Sequence, residues 1–233
     1  MRYTSKKMMK QRYVVVIDGS SGAGKSTLAK RLSKKLGYVY LDTGALYRCI
    51  ALAAYMKEVP VKNSLKLYQL AKASSIHFKN GRLRQQVFLN GVEVSQKIRA
   101  PYISLLASQY SGLPLVRKAL LYHQRTFAKA GGLVAEGRDL GTVVFPKADI
   151  KFFLTANIKE RAKRRYKELK NRHQHISLSR IEKEIKQRDK ADTQRTHAPL
   201  RKAKDAILID TTSHSIDQLL LRMYRIIQSK VKL

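Results

Sequence analysis

Lys25, Ser26 and Thr27 follow directly on a glycine-rich stretch, Gly19-Ser20-Ser21-Gly22-Ala23-Gly24, so that Gly19 to Ser26 reads G-x-x-x-x-G-K-[ST]. These residue types suit the phosphates of a nucleoside triphosphate. Polyphosphate is held by backbone N–H groups that must point inward along a tightly curved loop, and glycine bends that way at least steric cost. The helix N-terminus behind the loop adds fractional positive charge, Lys25 can reach the β- and γ-phosphates, and the Ser26 hydroxyl can ligate Mg²⁺. Gly19 to Thr27 are therefore the candidate ATP-binding residues, and Lys25 is also a catalytic candidate. The setting makes the motif specific: β-branched Val14-Val15-Val16-Ile17 form a buried strand before it. Leu28, Ala29, Leu32 and Leu36 make an apolar helical stripe after it, closed by Gly37.

Further chemistry-bearing residues cluster where short apolar strands end. Asp42-Thr43-Gly44-Ala45-Leu46-Tyr47-Arg48 puts a carboxylate, a hydroxyl, a phenol and a guanidinium on one strand-to-helix turn. Glu136-Gly137-Arg138-Asp139-Leu140-Gly141-Thr142 follows another strand, with Glu136 where P-loop enzymes hold Mg²⁺ or its water. Glu160-Arg161-Ala162-Lys163-Arg164-Arg165 and Gln187-Arg188-Asp189-Lys190-Ala191-Asp192-Thr193-Gln194-Arg195 come later. With the loop, these clusters supply more cations than one nucleotide needs. Two dianionic reactants repel, so they must be clamped in line while the charge spreading over a transferred phosphoryl group is neutralised. Planar guanidinium groups do this bidentately and stay charged at any working pH. An acceptor phosphate is already a nucleophile, so such chemistry needs no catalytic His or carboxylate base.

The elements that must position these residues alternate, strand with helix, as in a parallel sheet covered on both faces. Strands are expected at Val14 to Ile17, Tyr38 to Leu41, Leu133 to Glu136, Ile150 to Leu154 and Ala206 to Ile209. Helices are expected at Gly24 to Leu36, Gly44 to Met56, Leu65 to Ala73, Tyr102 to Tyr110 and Leu115 to Ala130. Three more follow at Ile158 to Arg172, Leu178 to Arg188 and Ile216 to Ser229. Ligands of such sheets collect beyond the carboxyl ends of the strands, where the polar clusters lie. From Ile76 to Val94 the alternation gives way to strand-like pieces punctuated by Asn80-Gly81 and Asn90-Gly91, which reads as a small antiparallel insertion.

Composition bounds the rest. The 233 residues, 44% hydrophobic and 27% charged, suffice for one globular domain with insertions. No stretch approaches the roughly 20 apolar residues of a membrane span. Residues 1–12 are basic but lack an apolar stretch or a cleavage-like site, and are read as a disordered arm and not as a secretory signal. Cys49 is the only cysteine, which excludes an intramolecular disulfide and accords with a reducing cytoplasm. Its place in an apolar helix makes it a small buried hydrophobe. The formal net charge of +32 attracts polyanions, but Lys and Arg are spread over the whole length without a docking stripe. That pattern gives nonspecific attraction to nucleic acid without a groove-reading element.

Residues Asp42 to Arg48, the run Glu136 to Pro146 (EGRDLGTVVFP), and Arg188-Asp189 with Asp192 and Arg195 resemble the motifs of bacterial cytidylate kinases. The similarity runs from about Val14 to the last helix and includes the β-rich insertion, as in the longer bacterial form. It implies a three-layer α/β/α P-loop fold with a five-stranded parallel sheet, a small β-rich insert at residues 63–111 that binds the monophosphate, and a helical lid within residues 157–195. All of this belongs to one kinase domain at 13–233. The family transfers the γ-phosphoryl of ATP, with Mg²⁺, to CMP or dCMP in the cytoplasm. By resemblance, Ser108, Asp139 and Arg188 hydrogen-bond the cytosine, Asp192 the ribose, and Arg48, Arg138 and Arg195 the acceptor phosphate. Asp42, Thr43, Tyr47 and Arg117 belong to the same pocket, and Arg161 and Arg165 to the lid. Arg138, Arg161, Arg165 and Arg195 join Lys25 as catalytic candidates, and Ser26 and Glu136, the latter through water, as metal ligands. A monomer is expected. Thr43 and Glu136 stand where the family often carries Ser and Asp, both conservative departures.

Plainer roles stay open for several of these residues. Arg161, Lys163, Arg164 and Arg165 also read as a solvated helix face, Asp42 and Asp139 as helix caps, and Tyr47 as core. The six His residues show no ligand spacing. A small phosphotransferase acting on UMP, AMP or an alcohol, and an RNA-binding protein using the positive field, are the competing functions.

Overall fold

The computed structural model describes residues 12–80, 85–170 and 176–231, without the side chains of Asn80 and Val231. The expected N-terminal arm, the Asn80-Gly81 turn, and His173 and His175 lie on or beyond the edges of these residues. A five-stranded parallel sheet forms the centre, built from β1 (Val14–Gly19), β2 (Val39–Asp42), β6 (Leu133–Glu136), β7 (Ile150–Thr155) and β8 (Ile207–Asp210). Its order is β2-β6-β1-β7-β8. Register aligns the ends that carry chemistry: Ile17 and Asp42 both pair with Glu136, and Gly19 pairs with Leu154. The strands are short apolar runs because both faces are covered.

On one face, α1 (Lys25–Leu36) and α8 (Ile216–Val231) pack their stripes onto Val15, Ile17, Val134 and Phe152. On the other, Val16, Leu41 and Ala135 meet Leu140, Val144 and Phe145. Helix α2 (Thr43–Met56) is apolar nearly all round, as a helix enclosed on most sides must be. It packs among α3 (Ser64–Ala73), α4 (Pro101–Tyr110) and α5 (Pro114–Thr126), and this second core holds the three-stranded antiparallel sheet β3 (Ile76–Asn80), β4 (Gln85–Leu89), β5 (Val92–Glu93). The Asn90-Gly91 turn sits where it was expected, with Asn90 at φ +50° and Gly91 at φ +83°. Helices α6 (Ile158–Lys170) and α7 (Leu178–Gln194) form a pair joined through Ala162, Leu169, Ile181 and Ile185.

The helices depart furthest from the sequence reading at three places. Helix α5 ends at Thr126, four residues before the expected stop, and its chain turns into Gly131 and Gly132, both in left-handed backbone. Helix α7 runs six residues past Arg188 to Gln194, because polar Asp189 to Gln194 carry no apolar period yet are held by tertiary contacts. A π-helical turn at Leu140–Val144, which no periodicity signals, replaces the loop after β6. Cys49 is fully buried, and burial pushes its thiol up to about 12.

Candidate active site

The donor side begins where β1 meets the glycine loop. A side chain at Gly19 would lie 2.1 Å from the Leu154 carbonyl oxygen, so the loop leaves the sheet pressed onto β7. Gly24 caps α1 with φ +87°, a conformation glycine adopts without penalty. Lys25 follows with its ammonium donating to the Ser20 carbonyl at 2.6 Å. The lysine is buried, and that burial, helped by the Arg138 guanidinium and opposed by Glu136, lowers its pKa to about 7. Glu136 faces it from β6, accepting from the Tyr40 hydroxyl at 2.6 Å and with the Ser26 side chain beside it. Burial and the nearby Asp42 push the Glu136 carboxyl up, against the pull of Lys25, Ser26 and Tyr40.

The opposite wall is a lattice of guanidinium–carboxylate pairs. Asp42 caps α2 through the Ala45 N–H at 3.0 Å and also accepts from Arg48 Nη2 at 2.7 Å. Capping and a site role coexist here. Burial alone would raise the Asp42 carboxyl, but the Arg48 pair and the Ala45 N–H hold it below the usual range. Arg138 Nε donates to Asp192 Oδ2 at 2.8 Å. Asp139 accepts from Arg117 Nη2 at one oxygen and from Arg195 Nη2, at 3.4 Å, at the other. Its burial outweighs both cations and raises its pKa. Arg188 is lowered to about 10 by burial and by Arg138 beside it. Tyr47 has its phenol pushed up to about 12 by burial, and the Arg117 guanidinium carbon lies 5.9 Å from its ring centre.

These groups surround one cleft of about 890 Å³ at the carboxyl ends of β1, β2 and β6. Of the expected residues, Ser21, Gly22 and Gly24 to Thr27 line it on the donor side. Asp42, Thr43, Tyr47, Arg48, Ser108, Arg117, Glu136, Arg138, Asp139, Arg165, Arg188, Asp192 and Arg195 line the rest. Four expected residues do not. Gly19 is pressed onto Leu154, Ser20 turns its carbonyl to Lys25, and Ala23 is fully buried with its carbonyl accepting from Thr211 Oγ1 at 3.1 Å. Arg161 is the fourth. It is 7% exposed and lies behind the loop, bonding the carbonyls of Ala156 and Ser21 and the Asp189 carboxylate, so a free lid guanidinium is not what this structure holds there. The alternative reading of it as a solvated helix face fails as well.

The cleft also takes in residues the sequence reading left without a role. Arg164, next to the expected Arg165, lines the donor end and donates to the Thr211 carbonyl at 2.6 Å. Arg99 and Ser104 arrive from the turn before α4 and from α4 itself, where no motif marks them. Asp18, next to last in β1, lies beneath the cleft and accepts the N–H groups of Leu140 and Gly141 at 2.9 and 2.8 Å, which fixes the segment carrying Arg138 and Asp139. Burial, against those two bonds, raises its pKa to about 6. Its signal was a lone acid closing an apolar strand.

The lining holds eleven basic side chains against five acidic ones, a surplus of six cations. A P-loop sheet with such a cleft at its strand ends defines a small P-loop phosphotransferase. The comparisons narrow the class. The chain belongs to the cytidylate kinase family, whose model matches residues 15–229. It is 48% identical over 222 residues to "Cytidylate kinase" of Syntrophotalea carbinolica, covering 95% of this chain and 94% of that one. It is 50% identical over 213 residues to "Cytidylate kinase" of Pseudomonas fluorescens, covering 90% and 93%. Among solved structures, an uncharacterized protein from Eubacterium ventriosum superposes with a TM-score of 0.52 at 11% identity, covering 94% of this chain and 99% of that one, a likeness of fold alone.

Proposed function

We propose that this chain transfers the γ-phosphoryl group of ATP to the phosphate of CMP or dCMP, giving CDP or dCDP for pyrimidine nucleotide metabolism. The observation that carries the reading is the surplus of six cations in one cleft that opens on the glycine loop at one end and on Asp139 and Asp192 at the other. One nucleotide phosphate chain does not use so many. The buried Nε atoms of Arg48 and Arg188 have no hydrogen-bond partner among the described residues, which leaves donors for a second phosphate.

In this reading Ser21, Gly22 and Gly24 to Thr27 bind the donor phosphates through the loop and Lys25, and Arg48, Arg138 and Arg195 hold the acceptor phosphate. Arg188, Asp139 and Ser108 read the base, Asp192 the ribose, and Tyr47 and Arg117 shape the pocket. Arg165, on the α6–α7 pair, closes on the transferred group. The family implies Mg²⁺, and the donor set suits it: a hydroxyl, Ser26, and a carboxylate, Glu136, lie within hydrogen-bonding reach of each other beside the loop lysine. Mg²⁺ favours such sparse oxygen sites, completed by water and substrate phosphates, and when bound it neutralises charge on the transferring group. The same reading takes the enzyme as a cytoplasmic monomer, with residues 63–111 as the acceptor-side insert. Among the described residues no helix is long and apolar enough to cross a membrane.

The test is ADP release from ATP and Mg²⁺ with CMP, dCMP, UMP and AMP offered separately at equal concentration. Turnover confined largely to CMP and dCMP is the expected result. Equal turnover with UMP or AMP would overturn the acceptor assignment.

A further inference from the structure

Asp189 sits on α7 between two residues of the acceptor side, Arg188 and Asp192, yet its carboxylate turns to the donor loop. One oxygen accepts the Ser21 N–H at 3.3 Å and the other accepts Arg161 Nη1 at 2.5 Å. Arg161 Nη1 also donates to the Ser21 carbonyl at 3.0 Å, and its Nε is tethered to the Ala156 carbonyl at 2.9 Å. Both backbone polar groups of Ser21, one in each of the two peptide units that flank its Cα, are thus held from outside the loop by one ion pair from α6 and α7. The next residue leaves no slack: a Cβ on Gly22 would lie 3.1 Å from Arg161 Cβ and 3.3 Å from the Arg161 carbonyl oxygen.

A glycine-rich loop has the largest conformational freedom to lose on binding, so its donor affinity depends on how far something else has already fixed its shape. Here that something is a carboxylate and a guanidinium with 20% and 9% side-chain exposure, well enough shielded for their pairing to hold the two peptide planes that meet at Ser21. We infer that Asp189, directly and through Arg161, is a positioning residue that presets the backbone on both sides of Ser21 in the donor loop. It thereby ties that loop to the helix carrying Arg188 and Asp192 to the acceptor. Asp189 touches neither reactant in this account. The inference rests on the kinase reading only in taking the loop as the donor site, and not in the identity of the acceptor.

The test is titration of the full chain with the Mg²⁺ complex of AMP-PNP, a non-hydrolysable ATP analogue, and separately with CMP, for the wild type, Asp189→Asn and Arg161→Lys. Asp189→Asn removes the carboxylate charge, and Arg161→Lys keeps a cation but loses the planar fork that reaches Ala156, Ser21 and Asp189 at once. Asp189→Asn is expected to weaken AMP-PNP binding about ten-fold or more and to leave CMP binding within about two-fold. Steady-state kinetics should show the same split, with KM for ATP raised and KM for CMP unmoved. Asp189→Glu, which keeps the charge, should recover part of the loss. Equal weakening of both ligands would reduce Asp189 to general structural support and overturn the inference. Unchanged AMP-PNP affinity, or tighter binding with faster turnover, would overturn it too, the latter by showing the pair to be a restraint on closure. If Asp189→Asn does not fold, Arg161→Lys carries the same decision. Should the wild type leave CMP unphosphorylated, a selective loss of AMP-PNP affinity relative to melting temperature still upholds the positioning role while the acceptor assignment falls.

Discussion

Replacing Asp139 by Asn removes a charge from the base-reading end of the cleft while keeping shape and one carbonyl oxygen. Cytosine presents an exocyclic amine where uracil presents a carbonyl oxygen, so a carboxylate accepts from the first and repels the second. Asp139 is 5% exposed, and Arg117 and Arg195 each take one direction at one of its oxygens. Further lone pairs remain for a base. A hydrogen bond to a buried charged group contributes about 1.5–3 kcal/mol. At about 1.36 kcal/mol per decade, its loss lowers kcat/KM for CMP by roughly 10- to 100-fold. The amide of Asn can also turn its NH₂ toward the uracil oxygen, which adds about 1 kcal/mol, or roughly five-fold, for UMP. The ratio of kcat/KM for CMP to that for UMP should therefore fall by about 10²-fold. Breaking a buried pair outright costs about 3–5 kcal/mol of stability, and keeping one acceptor for Arg117 should hold the loss below that. The assay is initial-rate ADP release over a concentration series of CMP and of UMP, run below the melting temperature of the variant. An unaltered ratio, with both acceptors weakened alike, would refute the reasoning and move base specificity away from Asp139.

Three further outcomes are expected. Burial lowers the pKa of free Lys25 to about 7, and bound phosphate raises it again, so ATP binding at pH 8 should take up protons, read by calorimetry in buffers of different ionisation enthalpy. The sign follows from a cation depressed in the free site and restored in the complex. Lys25→Met should abolish the uptake, and uptake persisting in that variant would assign it elsewhere. Arg165→Ala should lower kcat by roughly 10³-fold, as an arginine aimed at the transferring group can. Its melting temperature should hardly change, because its pair with Glu168 is half exposed and worth at most about 1 kcal/mol; unchanged turnover would remove Arg165 from the chemistry. Glu136→Gln should raise the Mg²⁺ concentration for half-maximal rate by about ten-fold or more, whereas an unshifted Mg²⁺ dependence would leave Glu136 a partner of Tyr40 and Ser26 only.

The sheet and its covering helices were legible because buried parallel strands and amphipathic helices write their periods directly into the chain, as Val14 to Ile17 and Leu28 to Leu36 do. Glycine loop and strand-end clusters were equally plain, since their residue types have few other reasons to stand together. What escaped was geometry set by distant partners. Arg161 and Arg165 are indistinguishable in a run of charges, yet one is sealed behind the loop and the other lines the cleft. Asp18 reads as the polar end of a strand until Leu140 and Gly141 fold over it. The last turns of α7 carry no apolar period; their helical state rests on contacts such as Leu200 N–H to the Asp192 carbonyl at 2.8 Å. Glu136 signalled a metal neighbour, but not that Tyr40 and Ser26 would already share its carboxylate.

The cleft is built so that the γ-phosphoryl group of ATP ends on the phosphate of a cytidine nucleotide. Incubating the protein with ATP labelled at the γ-phosphorus, CMP and Mg²⁺, then separating the products, tests it most directly. Label recovered in CDP, and its disappearance when Mg²⁺ is chelated, is the predicted result. Label recovered only as inorganic phosphate, or retained in ATP by well-folded protein, would contradict the account.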